Sequence, residues 1–96
     1  MSEALILEFD GVDPAKYDEV NVLLGIDPDT GEGDWPDGLL HHTGAYGDRL
    51  VVFEVWESQA KQAAFMESNL GPALGKAGLP EPSRAEWMTV KGQFSA

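Results

Sequence analysis

The sequence predicts an α+β fold of the ferredoxin-like type, with a four-stranded antiparallel sheet and two helices on one of its faces. Two observations support this prediction: the chain has only 96 residues, and its apolar pattern gives the element order β-α-β-β-α-β. Two right-handed β-α-β crossovers place both helices on the same side of the sheet. The length and an apolar content of 43% indicate a single domain over residues 1–96.

The first half of the chain supplies one strand, one helix and a loop. The apolar run ALILEF (4–9) has the length and composition of a strand. Asp13 is a candidate N-cap, and Pro14 follows it at the first helical position, where a missing N–H costs nothing. Gly25 is suited to end this helix in a left-handed conformation. The acidic segment 26–37 is predicted to be a loop.

The second half supplies a hairpin, a helix and a last strand. GLLHHTGA and RLVVFEVW are predicted strands on either side of YGD, which is a turn signal. Ser58 is a candidate N-cap for a helix over 59–70. Gly71 and Pro72 are expected to break this helix and to leave a short extra turn. The sequence RAEWMTVK is then the predicted final strand.

Charge and composition exclude several classes of protein. Seventeen acidic residues against six basic ones give a formal charge of −11, which repels phosphate backbones and anionic lipid headgroups. We therefore expect neither nucleic acid nor a membrane as partner. The absence of cysteine excludes a disulfide framework and a thiol nucleophile. The N-terminal residues MSEALILEFD resemble neither a signal peptide nor a membrane span, so we expect a cytoplasmic protein.

One face of the sheet is expected to remain uncovered by the chain itself. We assign one set of side chains to the helix side: Leu5, Leu7 and Phe9 with Val51, Phe53 and Val55. The opposite face then carries Ile6 and Glu8 with Leu50, Val52, Glu54 and Trp56. Burying such a face is worth many kcal/mol at about 25 cal/mol per Å² of apolar area. We therefore expect a homodimer in which a second copy covers it.

Two stretches carry a resemblance to a known family: VVFEVWESQAKQAAF (51–65) and LGPAL (70–74). A strand that ends in V-W-E-S and leads into a capped helix, with an aromatic residue nine positions after the tryptophan, resembles the antibiotic-biosynthesis-monooxygenase-like branch of the dimeric α+β-barrel superfamily. That branch contains cofactor-independent monooxygenases of quinols and aromatic polyketides, haem-degrading enzymes, and proteins without known activity. The resemblance implies a dimeric α+β barrel with a pocket between sheet and helices.

The residues of the haem-degrading members are missing from this chain. The resemblance implies an axial histidine on the second helix, but GPALGKAG contains none, and Gly75 occupies the matching position. Phe65 replaces the catalytic tryptophan of those enzymes, and ALILEF lacks their asparagine. We therefore expect no haem chemistry, and no cofactor.

His41 and His42 are the candidate catalytic residues. Because adjacent strand residues face opposite sides of a sheet, only one of them can face the cleft. A two-residue turn after the strand places His42 beside Val51 and Phe53, whereas a three-residue turn places His41 there. We favour His42 as a general base; the alternative is a structural role for both. Two ligands that diverge make a poor metal site, so we expect no metal.

Glu8 and Glu54 are candidates for a carboxylate pair on the dimer-facing side, since we expect the first and third predicted strands to be parallel neighbours. In the alternative interpretation, Arg49, Arg84 or a histidine neutralises these carboxylates across the dimer, because charges buried at interfaces are usually paired, or the carboxylates lie at the open end of the barrel.

Aromatic and sulfur-containing side chains are candidates for the wall of a ligand pocket. The predicted ligand-binding residues are Tyr17, Phe53, Trp56, Phe65 and Met66. Tyr17 is expected to present its hydroxyl to the cleft as a donor to an anion.

The acidic segment 26–37 is expected to be a solvated loop. It alternates acidic residues, but Glu32 and Gly38 stand where a calcium-binding EF-hand loop needs glycine and glutamate. Trp35 and Pro36 are expected to lie over the mouth of the cleft as a lid.

The sequence thus predicts a small dimeric barrel that binds an apolar or aromatic ligand, with cofactor-independent monooxygenase, isomerase or cyclase activity. The alternative is a non-catalytic protein that carries a ligand or serves assembly.

Overall fold

The predicted order of elements is present in the computed structural model, which describes residues 2–94. The elements in chain order are β1 (Glu3–Phe9), α1 (Pro14–Leu24), β2 (Ile26–Asp27), β3 (Glu32–Gly33), β4 (Leu39–Tyr46), β5 (Leu50–Trp56), α2 (Gln59–Phe65), a π-helical segment (Met66–Leu70), α3 (Gly71–Ala77) and β6 (Arg84–Thr89). The main sheet has the strand order β4-β5-β1-β6, and all its neighbouring strands are antiparallel. The ferredoxin-like α+β fold is therefore confirmed, while the expected parallel pairing of β1 with β5 was wrong.

Local residues fix the two ends of α1 as expected. The Asp13 carboxylate accepts a hydrogen bond of 2.8 Å from the backbone N–H of Ala15, and Pro14 occupies the first turn. Gly25 ends the helix with a left-handed φ of 74°, a conformation that glycine adopts without a steric penalty. The predicted loop after it contains a small hairpin, because β2 and β3 pair across a turn at residues 28–31.

The second helical region continues through the expected break. Gly71 has right-handed helical angles, and its N–H donates to the carbonyl of Met66, five residues earlier. Pro72 has no N–H and its ring crowds the carbonyl four residues before it. A wider π-helical turn relieves this conflict locally, so α2 leads into α3 without an intervening loop.

The register of β5 reverses part of the expected face assignment. Leu5, Leu7 and Phe9 lie directly opposite Glu54, Val52 and Leu50, and directly opposed residues share a face. Leu50, Val52 and Trp56 are buried, and Phe9, Leu50 and Val52 form a core cluster against which Tyr17 packs. The helix side therefore takes the even-numbered residues of β5, and the open side takes Val51, Phe53 and Val55.

The turn between β4 and β5 is longer than expected. Tyr46 pairs with Leu50, which leaves three residues, 47–49, in the connection. A three-residue turn shifts β4 by one position relative to the register we favoured. The longer turn alone would place His42 beside the even-numbered residues of β5, and these residues face the helices and not the open side. His42 therefore still lies on the helix side, opposite Glu54.

Within residues 2–94, no helix is long and apolar enough to cross a bilayer.

Candidate functional site

A cavity of about 60 Å³ lies between the helices and the inner face of the sheet. Its wall is mostly apolar and includes Leu7, Val20, Leu24, Val52, Phe65 and Leu74. Four polar side chains also line it: Tyr17 and Asn21 from α1, His42 from β4 and Glu54 from β5. A water molecule needs roughly 10–15 Å³ of such space, so the cavity as it stands accommodates a few waters.

The polar side chains form a continuous chain of hydrogen bonds. The Tyr17 hydroxyl lies 2.6 Å from His42 Nε2, and His42 Nδ1 lies 2.7 Å from Glu54 Oε2. The second carboxylate oxygen of Glu54 accepts a bond of 3.0 Å from the indole N–H of Trp56. The side chains of His42 and Glu54 are each only 9% exposed. Both oxygens of this buried carboxylate are thus satisfied, as burial requires.

With Glu54 as a carboxylate and His42 as a neutral imidazole, the chain of hydrogen bonds has one direction. An ionised carboxylate only accepts hydrogen bonds, so Nδ1 of His42 carries a proton and donates to Glu54. In a neutral imidazole the other nitrogen is then an acceptor, and the Tyr17 hydroxyl donates its proton to Nε2. The arrangement follows the logic of carboxylate–histidine pairs in general-base catalysis, where the carboxylate holds the imidazole in one tautomer.

Tyr17 keeps its proton well into the alkaline range. Burial is the main cause that raises the pKa of its hydroxyl above the ordinary value of 10.0; the nearby Asn21 side chain opposes the rise, and the Glu54 carboxylate adds to it. Tyr17 therefore lies between His42 and the cavity with its hydroxyl protonated. The Tyr17 and His42 rings lie almost parallel, with an interplanar angle of 6°.

A glycine in β4 makes the position of Tyr17 possible. Gly44 lies on the same face as His42, two residues further along the strand, and the Tyr17 ring lies against its backbone. A Cβ atom at Gly44 would lie 2.6 Å from the Tyr17 hydroxyl oxygen, far inside a normal contact of about 3.5 Å. Any other residue at this position would displace the ring.

Trp35 and Pro36 line the cavity on the side of the acidic segment. The Trp35 ring lies 5.5 Å from the His42 ring, and its indole N–H donates to the carbonyl of Gly31. A second pocket of about 280 Å³ is also lined by Trp35 and reaches His41 and His42. Trp35 therefore contributes to the walls of both the inner cavity and this outer pocket.

Several predicted site residues lie elsewhere. His41 faces the open side of the sheet, where it bonds the Thr43 hydroxyl at 2.7 Å and its ring lies near that of Phe53. Phe53 is 37% exposed on that side, so its expected place in the cleft is corrected by the register of β5. Trp56 is fully buried on the helix side with its ring 6.0 Å from that of Phe65. Met66 does not line the cavity.

Glu8 and Glu54 do not form a carboxylate pair, because they lie on opposite faces of the sheet. Glu8 accepts hydrogen bonds of 2.8 Å from Arg84 and 3.1 Å from Arg49. The Arg84 hydrogen bond above all lowers the pKa of Glu8. The alternative interpretation expected Arg49, Arg84 or a histidine as partners across a dimer; the structure places Arg49 and Arg84 on Glu8, and His42 on Glu54, within one chain.

The site does not fit a haem group or a metal ion. Both ring nitrogens of His42 are engaged by Tyr17 and Glu54, and the helical region 59–77 contains no histidine. Among residues 2–94, no three histidine, cysteine, aspartate or glutamate side chains are grouped closely enough to bind a metal ion.

Sequence reasoning missed Asn21, Gly44 and the role of Glu54 as the partner of His42. One signal was present: Tyr17 and Asn21 are four residues apart on a helix and so share a face. The pairing of His42 with Glu54 depends on the turn length, which the sequence left open.

The comparisons with known proteins support the fold. No protein-family model matches the chain, and no curated protein matches it in sequence. A Chloroflexus aurantiacus structure described as an antibiotic biosynthesis monooxygenase is similar, with a TM-score of 0.69 and 15% identity over 99% of this chain and 98% of that one. Rv0793 from Mycobacterium tuberculosis is similar with a TM-score of 0.64 and 20% identity, over 99% and 100% of the two chains. The predicted resemblance to the monooxygenase-like branch is thereby confirmed at the level of fold.

Proposed function

We propose that this protein binds a small planar, apolar or aromatic molecule between its sheet and helices and removes a proton from it without a bound cofactor. The observation that carries the proposal is the hydrogen-bonded chain from the cavity through Tyr17 to His42 and Glu54. A buried, fully paired polar chain at an apolar cavity is an arrangement suited to proton transfer.

In this proposal His42 is the proton acceptor and Tyr17 relays the proton to it. A ligand proton passes to the Tyr17 oxygen while the Tyr17 proton passes to Nε2 of His42. The Glu54 carboxylate, 2.7 Å from Nδ1, stabilises the resulting imidazolium through a charge-assisted hydrogen bond. Trp56 fixes the carboxylate from its other side and so acts as a positioning residue.

The deprotonated ligand can follow either of two courses. Its carbanion or phenolate reacts with molecular oxygen, which is monooxygenase-like chemistry, or it regains the proton at another atom, which is isomerisation or cyclisation. The first course is supported by the likeness in fold to the Chloroflexus protein described as a monooxygenase. The cavity lining contains no lysine or arginine and the chain carries a charge of −11, so anionic ligands are disfavoured.

The proposal includes a homodimer formed through the open face of the sheet. Phe53 and Met88 are 37% and 40% exposed, and they lie on the face that the helices do not cover. Ile6 and Val51 on the same face are half-buried. A second copy would remove this apolar surface from water, which is the main source of association energy in such interfaces.

Deuterium exchange tests the proton-transfer step directly. β-Tetralone, a small neutral aromatic ketone with acidic C–H protons, is incubated with the protein in deuterium oxide, and loss of its α-proton signal is followed by NMR. We expect His42→Gln and Tyr17→Phe to slow the protein-dependent exchange by about 10²–10⁴-fold, the usual contribution of a general base. His41→Gln, on the other face of the sheet, is the matched control and should exchange at the wild-type rate.

Ligand binding without chemistry is the second candidate function. The mostly apolar lining supports it; pockets for drug-sized ligands measure about 300–1,000 Å³, so carriage and catalysis would both require the Trp35 side to open. Equal exchange rates in wild type, His42→Gln and Tyr17→Phe would contradict the proton-transfer proposal. Binding of the ketone in that case would support a carrier.

A further inference from the structure

We propose that the inner cavity and the outer pocket are two parts of one ligand site, and that the Trp35 side chain is the movable partition between them. This inference rests on the proposed function, since it takes the inner cavity as the place where the ligand binds. It adds a second subsite, a route of entry and a residue that limits the size of the ligand.

The two spaces meet at the same three residues. Trp35, Leu39 and His42 line both the inner cavity of about 60 Å³ and the outer pocket of about 280 Å³. Pockets for small molecules measure about 300–1,000 Å³, so the inner cavity alone is far too small and the two spaces joined reach the lower end of this range. Leu39 and His42 belong to β4, whereas Trp35 lies outside the main sheet. Trp35 is therefore the shared residue that can move without disrupting the sheet.

The backbone on either side of Trp35 is fixed. On one side the N–H of Asp34 donates to the Gly25 carbonyl at 2.9 Å, and on the other side the N–H of Glu57 donates to the Gly38 carbonyl at 2.8 Å. Both bonds attach the segment 34–38 to neighbouring elements of the fold. We therefore infer that the partition opens by rotation of the Trp35 side chain and not by movement of the whole segment.

The half-buried Trp35 indole is held by a contact that rotation can break. An indole has one N–H donor, and that of Trp35 donates to the Gly31 carbonyl at 3.1 Å in a solvent-exposed position. Water can replace the indole at this carbonyl, so breaking the bond costs little. The Trp35 ring also lies 5.5 Å from the His42 ring. Rotation of the indole therefore opens the way from the outer pocket to the residue that accepts the proton.

Leu40 supplies an apolar wall to the second subsite. The pairing of β4 with β5 shifts between Leu39 and His41, which marks a β-bulge at Leu40, and bulges redirect side chains beside functional sites. Leu40 is 52% exposed and lines the outer pocket together with Pro28. An apolar group that extends past the partition would cover this side chain and remove it from water. The site therefore favours a ligand with its reactive end in the inner cavity and an apolar body in the outer pocket.

Naphthalene, a planar hydrocarbon, is the probe for the two-part site. An engineered cavity that binds benzene measures about 150 Å³, so naphthalene does not fit in the inner cavity alone. Its binding to nitrogen-labelled wild-type protein is followed by NMR. We expect naphthalene to shift the assigned indole N–H signal of Trp35 and to leave that of Trp87, which lines neither space, in place.

Two variants test the partition and its mode of opening. Trp35→Phe removes the hydrogen bond to Gly31 and shortens the side chain. We expect it to bind naphthalene about fivefold to tenfold more tightly than the wild type, because the ligand no longer has to displace the indole. Lys61→Gln breaks the ion pair that holds Asp37. It should bind naphthalene as the wild type does, because the segment itself does not move.

A further pair of variants tests the outer subsite. Leu40→Ala should weaken naphthalene binding about fivefold through lost apolar contact. Leu23→Ala is the matched control, since Leu23 is an exposed apolar residue of α1 that lines neither space, and its affinity should equal that of the wild type.

The outcomes separate this inference from the proposed function. An unmoved Trp35 signal in the wild type, which does not depend on any variant folding, would overturn the partition, and so would Trp35→Phe that binds no more tightly. Tighter binding by Lys61→Gln would mean that the whole segment opens, and unchanged binding by Leu40→Ala would overturn the outer subsite. If the naphthalene results hold while tetralone exchange is unaffected by His42→Gln, the two-part site is supported and proton transfer is contradicted.

Discussion

Replacing Gly44 by alanine tests the packing on which the Tyr17–His42 contact depends. The added methyl would lie 2.6 Å from the Tyr17 hydroxyl oxygen, so the ring must retreat by about 1 Å to reach a normal contact. Overpacking of this kind costs about 1–3 kcal/mol, and loss of the Tyr17–His42 hydrogen bond adds about 1 kcal/mol. The free energy of unfolding should therefore fall by about 2–4 kcal/mol.

Thermal and urea unfolding measure that loss. In a domain of this size 1 kcal/mol corresponds to about 4–8 °C in Tm, so Gly44→Ala should melt at least about 8 °C below the wild type. The same methyl group should be tolerated when the ring is absent. In a Tyr17→Ala background, Gly44→Ala should cost little, and the double-mutant cycle should give a coupling of about 2–4 kcal/mol between the two positions.

Gly47→Ala is the matched control. Gly47 follows the same strand, its φ is not left-handed, and a Cβ there meets no atom within 4 Å. Its stability should stay within about 0.5 kcal/mol of the wild type, as is usual for exposed positions. If Gly44→Ala proved as stable as Gly47→Ala, or if the coupling with Tyr17 were zero, the Tyr17 ring would not lie against β4 as described.

Three further predictions concern ionisation and assembly. Because burial raises the pKa of Tyr17 above 10.0, the unfolded chain loses this proton first, and the urea midpoint should fall as the pH rises past about 10; Tyr17→Phe should lack this part of the decline. Arg84 lowers the pKa of Glu8 below 4.5. The ionised Glu8 therefore stabilises the fold fully above that pH, and this stabilisation is lost as the pH falls through the lowered pKa. In Glu8→Gln, the urea midpoint should depend less steeply on pH in the acid range. Light scattering should find a dimer that Phe53→Asp dissociates and that Val22→Asp, at an 80% exposed helix position, leaves intact; a wild-type monomer would refute the proposed interface.

The elements that could be predicted from sequence are those set by neighbouring residues. Asp13, Pro14 and Gly25 define the ends of α1 through contacts within a few positions, and they do so in the structure. The continuous helical path from α2 to α3 was not predictable in this way. Pro72 signals a break, but a rarer π-helical turn precedes it and the helical path continues.

The faces of β5 could not be predicted because both are apolar. Its sequence LVVFEVW places three apolar residues on either side, so alternation does not identify the buried face. Glu54 favours the wrong prediction, because a carboxylate is rarely buried and its face of β5 is therefore expected to be the open one. The choice of His42 over His41 rested on this reversed face and on a turn one residue too short, and it agrees with the structure only because the two deviations compensate.

Burial of Glu54 becomes favourable only when its partners are considered together. Alone, the carboxylate would cost several kcal/mol to desolvate, which is why a residue-by-residue analysis places it outside. His42 lies opposite it across the hairpin, and Trp56 lies two residues further on the same face. Each partner supplies one donor to one carboxylate oxygen, and His42 Nδ1 and the Trp56 indole N–H would each lose this hydrogen bond without Glu54. The three residues therefore specify the buried face jointly, and a pattern of histidine, glutamate and tryptophan at matching hairpin positions carries information that none of them carries singly.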